Sequence, residues 1–191
     1  MSQQTNRPIM LLFGEGDFSF SRCLTDLCTT KRHDVIATEY REIHELLEYK
    51  NFINNVTHLH LMSSDGQSDR PRFFVQFGVD LCRTSWESIF AQHFPGELLR
   101  QPDVIQFNFP WHVNFQAENE DILRSLFSFA AENLKQDGEL RLAIVNTFST
   151  YHWKYGFSEQ LYEDNGFSLV GSDKFCPLYP GYRHVSSFAY Q

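Results

Sequence analysis

Short runs of apolar residues alternate along the chain with stretches in which apolar residues recur every three or four positions. A continuous apolar run that ends at turn residues is typical of a strand buried on both faces of a parallel sheet. Five such runs predict strands at 8–14, 33–40, 73–81, 102–111 and 140–148. Stretches with helical spacing predict helices near 20–28 and at 41–56, 84–94, 119–134 and 157–166. A capping box, Thr84 to Glu87, predicts where the helix at 84–94 begins.

This alternation predicts a parallel sheet with right-handed crossovers and helices on both faces. Two further stretches, 167–175 and 184–190, follow the last helix and predict an antiparallel strand pair. A terminal strand pair is typical of class I methyltransferase folds, whereas a dehydrogenase sheet more often continues with another crossover helix. The predicted fold is therefore α/β: a single Rossmann-like class I methyltransferase domain over 1–191, with a mostly parallel seven-stranded sheet and an N-terminal tail at 1–8.

The composition narrows the classes of function. Hydrophobic residues make up 42% of the 191 residues, which is enough to form a core without disulfide bonds or a metal ion. The net charge of −8 argues against a nucleic-acid partner, since such proteins usually carry a basic face. The cysteines form no CxxC pair, which predicts free thiols in a reducing compartment and no metal site: Cys23, Cys28, Cys82 and Cys176.

Neither a signal peptide nor an apolar run long enough to cross a bilayer is evident in the sequence. We therefore expect no membrane partner and a cytoplasmic location, or the nucleus or nucleolus if the source is a eukaryote. The sequence does not indicate the oligomeric state.

The turn after the first predicted strand is the first candidate site. In "FGEGDFS", Gly14 allows a tight turn and Gly16 lets the backbone approach a ligand, just ahead of a helix N-terminus. Glu15 and Asp17 would repel a pyrophosphate, but they suit a cofactor with a positive sulfonium and an ammonium group, such as S-adenosylmethionine. A purely structural turn would explain the two glycines equally well.

Further cofactor contacts are predicted in this loop and at the ends of the next two strands. Phe18 is placed to wall the cofactor, and Ser19 stands where a dinucleotide motif has its third glycine. Glu39 ends the second strand, where an acid can accept hydrogen bonds from both ribose hydroxyls. Asp80 ends the third strand, where an acid can bind the adenine amino group. The alternatives are a solvated surface glutamate and an aspartate that only caps a turn.

The fourth strand ends in a cluster of candidate site residues. Asn108, Pro110 and His112 are candidate catalytic residues, Asn108 and Phe109 are also candidate cofactor contacts, and Trp111 is a candidate substrate contact. Asn, Pro and an aromatic ring in this order make a rigid carbonyl-and-amide platform, which amino-methylating enzymes use to hold a planar nitrogen nucleophile. A strand-to-loop turn punctuated by proline would explain any one of these residues, but explains their clustering less well.

The segment "CPLYPGYRH" near the end of the chain is a candidate substrate lid. It brings together Tyr179, Tyr182, Arg183 and His184. The alternative is an ordered turn between two edge strands, with the tyrosines packed on the sheet.

Five motifs together resemble one family. "LLFGEGDFSFS", "FGVD", "DVIQFNFPW", "LKQDGELRLAI" and "YPGYRH" stand in the order found in the Rossmann-like eukaryotic 25S ribosomal-RNA uridine-N3 methyltransferases. The resemblance implies a class I fold and S-adenosylmethionine as cofactor. It assigns 14–19 to the methionine-end loop, Glu39 to the ribose and Asp80 to the adenine. It also assigns 108–110 to the catalytic strand end and makes RNA the implied substrate.

A uridine N3 nucleophile would attack the sulfonium methyl group in line, and the enzyme would contribute mainly proximity and alignment. The nucleophile must also lose its proton, and His112 and Asp80 are the candidate bases. Trp111 and a tail tyrosine, Tyr179 or Tyr182, are placed to stack on a splayed base.

Three other interpretations remain open from the sequence. The same fold and cofactor could serve a small-molecule or peptide-like amine, which the acidic net charge favours. The chain could bind the cofactor or a partner without turnover. It could also be a nicotinamide dehydrogenase, although the acidic loop and the missing third glycine argue against that reading.

Overall fold

The computed structural model of the chain describes residues 7–25, 27, 32–64, 70–110, 116–144, 158–179 and 182. These residues contain five strands: β1 (Ile9–Phe13), β2 (Asp34–Thr38), β3 (Arg72–Gln76), β4 (Val104–Asn108) and β5 (Glu139–Ala143). They also contain seven helices: α1 (Ser19–Leu24), α2 (Ile43–Leu46), α3 (Phe52–Ser64), α4 (Trp86–His93), α5 (Gln116–Asn133), α6 (Glu159–Asp164) and α7 (Phe175–Leu178). Within these ranges, no helix has both the length and the apolar character needed to span a membrane.

The strands form one sheet in the order β3-β2-β1-β4-β5. The pairs β1–β2, β2–β3 and β4–β5 are parallel, and Ile36 lies in register with Leu11 on one side and Phe74 on the other. Every residue of β1 and β2 is buried, because helices or loops cover both faces of a parallel sheet. The α/β class and the five parallel strands predicted from the apolar runs are confirmed.

Contacts along the chain define two compact units. The first comprises 1–79 with 175–191, and in it α3 packs on α1 and covers β3. The second comprises 80–174, and in it Leu123 and Phe127 of α5 pack with Leu161 of α6. The assignment of 1–191 to a single domain stays a prediction.

The seven-stranded sheet with a C-terminal antiparallel pair is wrong. Residues 167–174 form no strand, and Phe175 begins the short helix α7. Val170 is 98% exposed and Leu169 is also exposed, so these apolar side chains pack against no layer of the described structure. A strand needs a partner for its backbone N–H and C=O groups, which an apolar stretch does not itself provide. The second predicted member of the pair, 184–190, lies outside the described residues.

Helix boundaries also differ from the prediction. The stretch 41–56 is divided into α2 and α3 by a turn, in which Tyr49 N donates to Leu46 O at 3.0 Å. Ile43 and Leu47, which the helical spacing placed on a buried face, are exposed. The cap of α4 is Ser85, whose Oγ accepts from Ser88 N at 3.3 Å, so Thr84 does not cap the helix.

An ion cluster holds the amino end of β2. Asp34 is fully buried and accepts two hydrogen bonds from Arg72, from Nε at 2.7 Å and from Nη2 at 2.8 Å. Arg7 Nε lies 3.2 Å from the same carboxylate. The cluster ties β2 to β3 and to the segment before β1, at the opposite end of these strands from the glycine loop.

Candidate functional site

The loop between β1 and α1 has an unusual backbone. Gly14, Gly16 and Phe18 have φ values of 64°, 61° and 60°, so three alternate residues are in the left-handed region. This conformation is easy for glycine and costly for phenylalanine. Glu15 N donates to Thr38 O at 3.1 Å, which fastens the loop to the end of β2. The glycines are therefore required by the backbone, as the sequence indicated.

The structure places Glu39 against this loop. Its Oε2 accepts a hydrogen bond from Gly16 N at 2.7 Å, and its Oε1 accepts one from Arg41 Nε at 2.8 Å. The residue is 4% exposed, so it is not the solvated surface glutamate that the sequence left open. Each carboxylate oxygen can accept more than one hydrogen bond, and Glu39 therefore keeps acceptor capacity for a ligand.

Arg41 and Tyr49 hold Glu39 from the other side. The Arg41 guanidinium lies over the Tyr49 ring, 4.8 Å from the ring centroid, and its Nη1 donates to the Tyr49 hydroxyl. A Cβ placed on Gly16 would lie 3.8 Å from Arg41 Nη2, so the guanidinium is beside the glycine loop. Sequence reasoning missed Arg41 and Tyr49, although an arginine two residues after a candidate ribose acid was a usable signal.

Glu15 turns beneath the loop. Its Oε2 accepts hydrogen bonds from Ser21 N at 2.8 Å and from Ser21 Oγ at 2.6 Å, which satisfies a free amide in the first turn of α1. Its Oε1 is buried and has no hydrogen-bond partner in the described structure. Burial raises the pKa of Glu15 to about 7, and the carboxylates of Glu39 and Asp17 add to the increase. Glu15 is thus a buried acid beside α1.

Asp17 and its neighbours also have structural contacts. Asp17 Oδ1 accepts from Ser19 N at 3.0 Å, and Asp17 O accepts from Asn55 Nδ2 at 2.8 Å. The ring of Phe18 has no exposed surface, and its centroid lies 6.1 Å from that of Phe52 and 5.6 Å from that of Phe77. The whole residue lacks exposed surface, so Phe18 belongs to the core, and its predicted role as a wall of the cofactor site stays a prediction.

Asp80 makes the contacts of a turn residue. Its Oδ1 accepts from Cys82 N at 2.9 Å, its main-chain oxygen accepts from Thr84 N at 2.8 Å, and Arg83 Nε lies 3.4 Å from its Oδ2. These bonds match the turn-capping role that the sequence left open beside adenine binding.

The end of β4 in the second unit combines a polar pair with a strained residue. Asn108 is 8% exposed, its Oδ1 accepts from Gln106 Nε2 at 2.8 Å, and its buried Nδ2 has no hydrogen-bond partner in the described structure. Phe109 has φ 55°, and its N donates to Ala143 O at 2.8 Å. Pro110 is buried, while Trp111 and His112 lie outside the described residues. Gln106 was missed, although residues two apart on a strand share a face.

The tail tyrosines pack on α1. The Phe20 ring lies 4.8 Å from the Tyr179 ring and 5.5 Å from the Tyr182 ring, and it also contacts Phe175. Burial raises the pKa of the Tyr182 hydroxyl, and the charges of Glu15 and Asp17 act in the same direction. The tyrosines thus have the packing role that was the alternative to a lid, against a helix rather than the sheet. His184 lies outside the described residues.

The second unit also has an open groove of about 500 Å³ between residues 81–87, which lead into α4, and α5. Arg83 and Arg124 line it, but each is paired with an acid, Asp80 at 3.4 Å and Glu120 at 2.6 Å respectively. None of the candidate site residues predicted from the sequence lines the groove, and its paired charges make it a poor site for a polyanion.

A family model described as rRNA (uridine-N3-)-methyltransferase BMT5-like matches residues 11–186 of this chain. An uncharacterized Arabidopsis thaliana protein, At4g26485, is 26% identical over 186 residues, which cover 91% of this chain and 79% of that protein.

Two solved structures are also similar. An antibiotic-related methyltransferase aligns with 88% of this chain and 72% of its own, at 21% identity and a TM-score of 0.46. A lactate dehydrogenase from Eimeria maxima aligns with 83% of this chain and 41% of its own, at 11% identity and a TM-score of 0.41. Similarity at this level does not separate a methyltransferase from a dehydrogenase. The family model does separate the two classes, because it matches the chain from β1 into the C-terminal tail. The chain belongs to the BMT5-like family of rRNA (uridine-N3-)-methyltransferases.

Proposed function

We propose that this methyltransferase uses S-adenosylmethionine and transfers its methyl group to N3 of a uridine in RNA. The cofactor assignment rests on Glu39, which follows β2. Its carboxylate accepts a hydrogen bond of 2.7 Å from the Gly16 amide of the glycine loop. In Rossmann-like folds, an acid at this strand end binds the ribose while the glycine loop lies along the adjoining part of the cofactor. The family assignment supports uridine in rRNA as the substrate.

The charge around the loop fits this cofactor. Asp17 and Glu39 are each more than nine-tenths buried, and Arg41 is bonded to Glu39; Glu15 lies close by, and its pKa of about 7 leaves it only partly charged near neutral pH. A pyrophosphate would bring two more negative charges to these carboxyl groups, which would be costly at low exposure. A sulfonium and an ammonium group would be attracted. The loop therefore favours S-adenosylmethionine over a dinucleotide.

The residues of the first unit have separable roles in this proposal. Glu39 accepts hydrogen bonds from the ribose hydroxyls, and Arg41 keeps its carboxylate in place. The left-handed backbone at Gly14 and Gly16 lets the main chain of the loop approach the methionine end, where no Cβ intervenes. When bound, S-adenosylmethionine supplies an electrophilic methyl group and a neutral thioether leaving group.

Calorimetry with S-adenosylhomocysteine and NAD tests the cofactor. We expect binding of S-adenosylhomocysteine and none of NAD, and tight NAD binding alone would overturn the assignment. Glu39→Gln should weaken S-adenosylhomocysteine binding about 10–100-fold, because hydrogen bonds to a charged group contribute about 1.5–3 kcal/mol. The matched control is Glu132→Gln, which removes an exposed carboxylate from α5 and should leave the affinity unchanged.

A second comparison isolates the ribose. Wild type should prefer adenosine to 2′,3′-dideoxyadenosine, and Glu39→Gln should lose most of that preference. An unchanged preference would show that Glu39 does not contact the ribose.

The substrate is tested by incubating the enzyme with tritiated S-adenosylmethionine and ribosomal RNA. The digested nucleosides are then identified by mass spectrometry. The expected product is 3-methyluridine; transfer only to a small amine would refute the RNA assignment.

A further inference from the structure

The carboxyl end of β4 holds a buried hydrogen-bond donor that the fold leaves unused. Asn108 is 8% exposed, and its Nδ2 has no partner in the described structure. A buried polar group without a partner destabilises the folded protein. Such a group at the end of a parallel strand, where ligands bind in α/β sheets, indicates an acceptor that arrives with the substrate.

Gln106 decides which half of the Asn108 amide is left free. The two residues are two apart on β4 and therefore share one face of the strand. Gln106 is 2% exposed, and its Nε2 donates to Asn108 Oδ1 at 2.8 Å. This bond occupies the oxygen of Asn108 and turns its Nδ2 away from Gln106. If the Asn108 amide alone were reversed, its NH₂ group would face the NH₂ group of Gln106 inside the protein.

The backbone keeps this arrangement rigid. Asn108 is in register with Ala143 of β5, and Phe109 N donates to Ala143 O at 2.8 Å. Phe109 has φ 55°, a conformation that costs a non-glycine residue energy and that tends to occur at functional sites. Strand pairing and the left-handed turn therefore fix the Cα position from which the Asn108 side chain extends.

We propose that Asn108 Nδ2 donates a hydrogen bond to a ring carbonyl oxygen of the target base, and that Gln106 is the residue that positions it. The inference rests on the proposed function and specifies its substrate class. A ring nitrogen between two carbonyl groups, as in uracil, presents acceptors on both sides of the nucleophile. An exocyclic amine presents N–H groups and would require a free acceptor at this position. Asn108 Nδ2 is a donor and therefore suits a base whose ring carbonyl groups accept, as in uracil, rather than an exocyclic amine.

The donor also helps the chemistry. The N3–H bond of uracil breaks, its electron pair stays on the ring, and the proton passes to a solvent base. The negative charge spreads onto the two carbonyl oxygens, where a fixed N–H group stabilises it more than it stabilises the neutral base. The ring nitrogen pair then forms the N–CH₃ bond, and the pair of the broken S–CH₃ bond stays on sulfur.

The test reverses the polarity of the amide. Asn108→Asp replaces the donor with an acceptor of the same shape and should lower kcat for uridine about 10²–10³-fold. Gln106→Glu should also lower kcat, because an ionised carboxylate accepts from Asn108 Nδ2 and ties up the donor. When protonated at lower pH, the introduced carboxyl group can donate as the glutamine does. The ratio of Gln106→Glu to wild-type kcat should therefore rise as the pH falls.

Gln101→Glu is the matched control, because it adds the same charge at an exposed position in the loop before β4. Its ratio to wild type should stay flat with pH. Calorimetry with S-adenosylhomocysteine and thermal melting are measured for every variant. Unchanged cofactor affinity in Asn108→Asp, together with the loss of kcat, would support a contact with the base rather than with the cofactor.

Three results would overturn the inference. One is wild-type kcat in both Gln106→Glu and Asn108→Asp. Another is a loss of activity in Gln106→Glu that does not vary with pH and follows a lowered melting temperature. The third is methylation of an exocyclic amine instead of uridine by wild type. That result would refute the substrate class but would leave S-adenosylmethionine as the cofactor. Absence of any S-adenosylhomocysteine binding would instead refute the proposed function, and the inference with it.

Discussion

Replacing Glu15 by glutamine removes a carboxyl group from beneath the glycine loop while keeping the size of the side chain. In the wild type, Oε2 is bonded to Ser21 N and Ser21 Oγ, and Oε1 is buried without a partner. Burial raises the pKa of this group from 4.5 to about 7. The glutamine oxygen can accept both hydrogen bonds from Ser21, but the side chain has no charge at any pH.

The raised pKa makes the folded state less stable as the pH increases. Below about pH 4.5, Glu15 is protonated in both states and costs little. Between pH 4.5 and about 7, the unfolded chain releases the proton while the folded protein keeps it, so stability falls over this range. A shift of this size corresponds to roughly 3 kcal/mol, since one pKa unit is about 1.4 kcal/mol. Above about pH 7 the loss is complete.

Urea unfolding of wild type and Glu15→Gln at pH 4, 6 and 8 measures this contribution directly. The free energy of unfolding of wild type, relative to the variant, should fall by roughly 3 kcal/mol from pH 4 to pH 8. Glu132→Gln, on the exposed face of α5, should follow the wild-type profile. If Glu15→Gln also follows it, the carboxyl group does not titrate in the buried site and the reasoning is refuted.

Two further predictions concern stability in the first unit. Asp34→Asn should lower the free energy of unfolding by about 2–3 kcal/mol, because it leaves the Arg72 and Arg7 guanidinium groups without their carboxylate. The half-exposed Arg72 regains some hydration, which limits the loss. Urea unfolding measures the change, and a loss below about 0.5 kcal/mol would contradict the prediction. Phe18→Ala should cost about 3–5 kcal/mol through the cavity left beside Phe52 and Phe77; a near-neutral result in the same assay would show that the ring is not part of the core.

The apolar runs predicted the sheet because burial on both faces leaves a direct mark on the sequence. Every residue of β1 and β2 is buried, and β1 and the centre of β2 (35–37) are entirely apolar. The stretch at 167–175 also contains apolar residues, yet Leu169 and Val170 are exposed and no strand forms there. Strand formation depends on a neighbour with free backbone groups, and that neighbour is far away along the chain. Helical spacing likewise predicts one helix over 41–56, but the chain turns after Leu46, and Ile43 and Leu47 are exposed because no other part of the described structure covers them.

The sequence by itself determined the α/β class, the glycine loop, and the acidic character of the loop and of the second strand end. Residue type and spacing are enough for these features, because they reflect local conformation and burial. Only the tertiary structure decided what each acid does. Glu15 bonds to Ser21 of α1, and Glu39 bonds to Gly16 across 23 positions. Likewise, the motif located Asn108, but only the bond from Gln106 shows which amide atom is free. The role of a carboxylate or an amide depends on the group that it bonds to, and only the tertiary structure brings the two groups together.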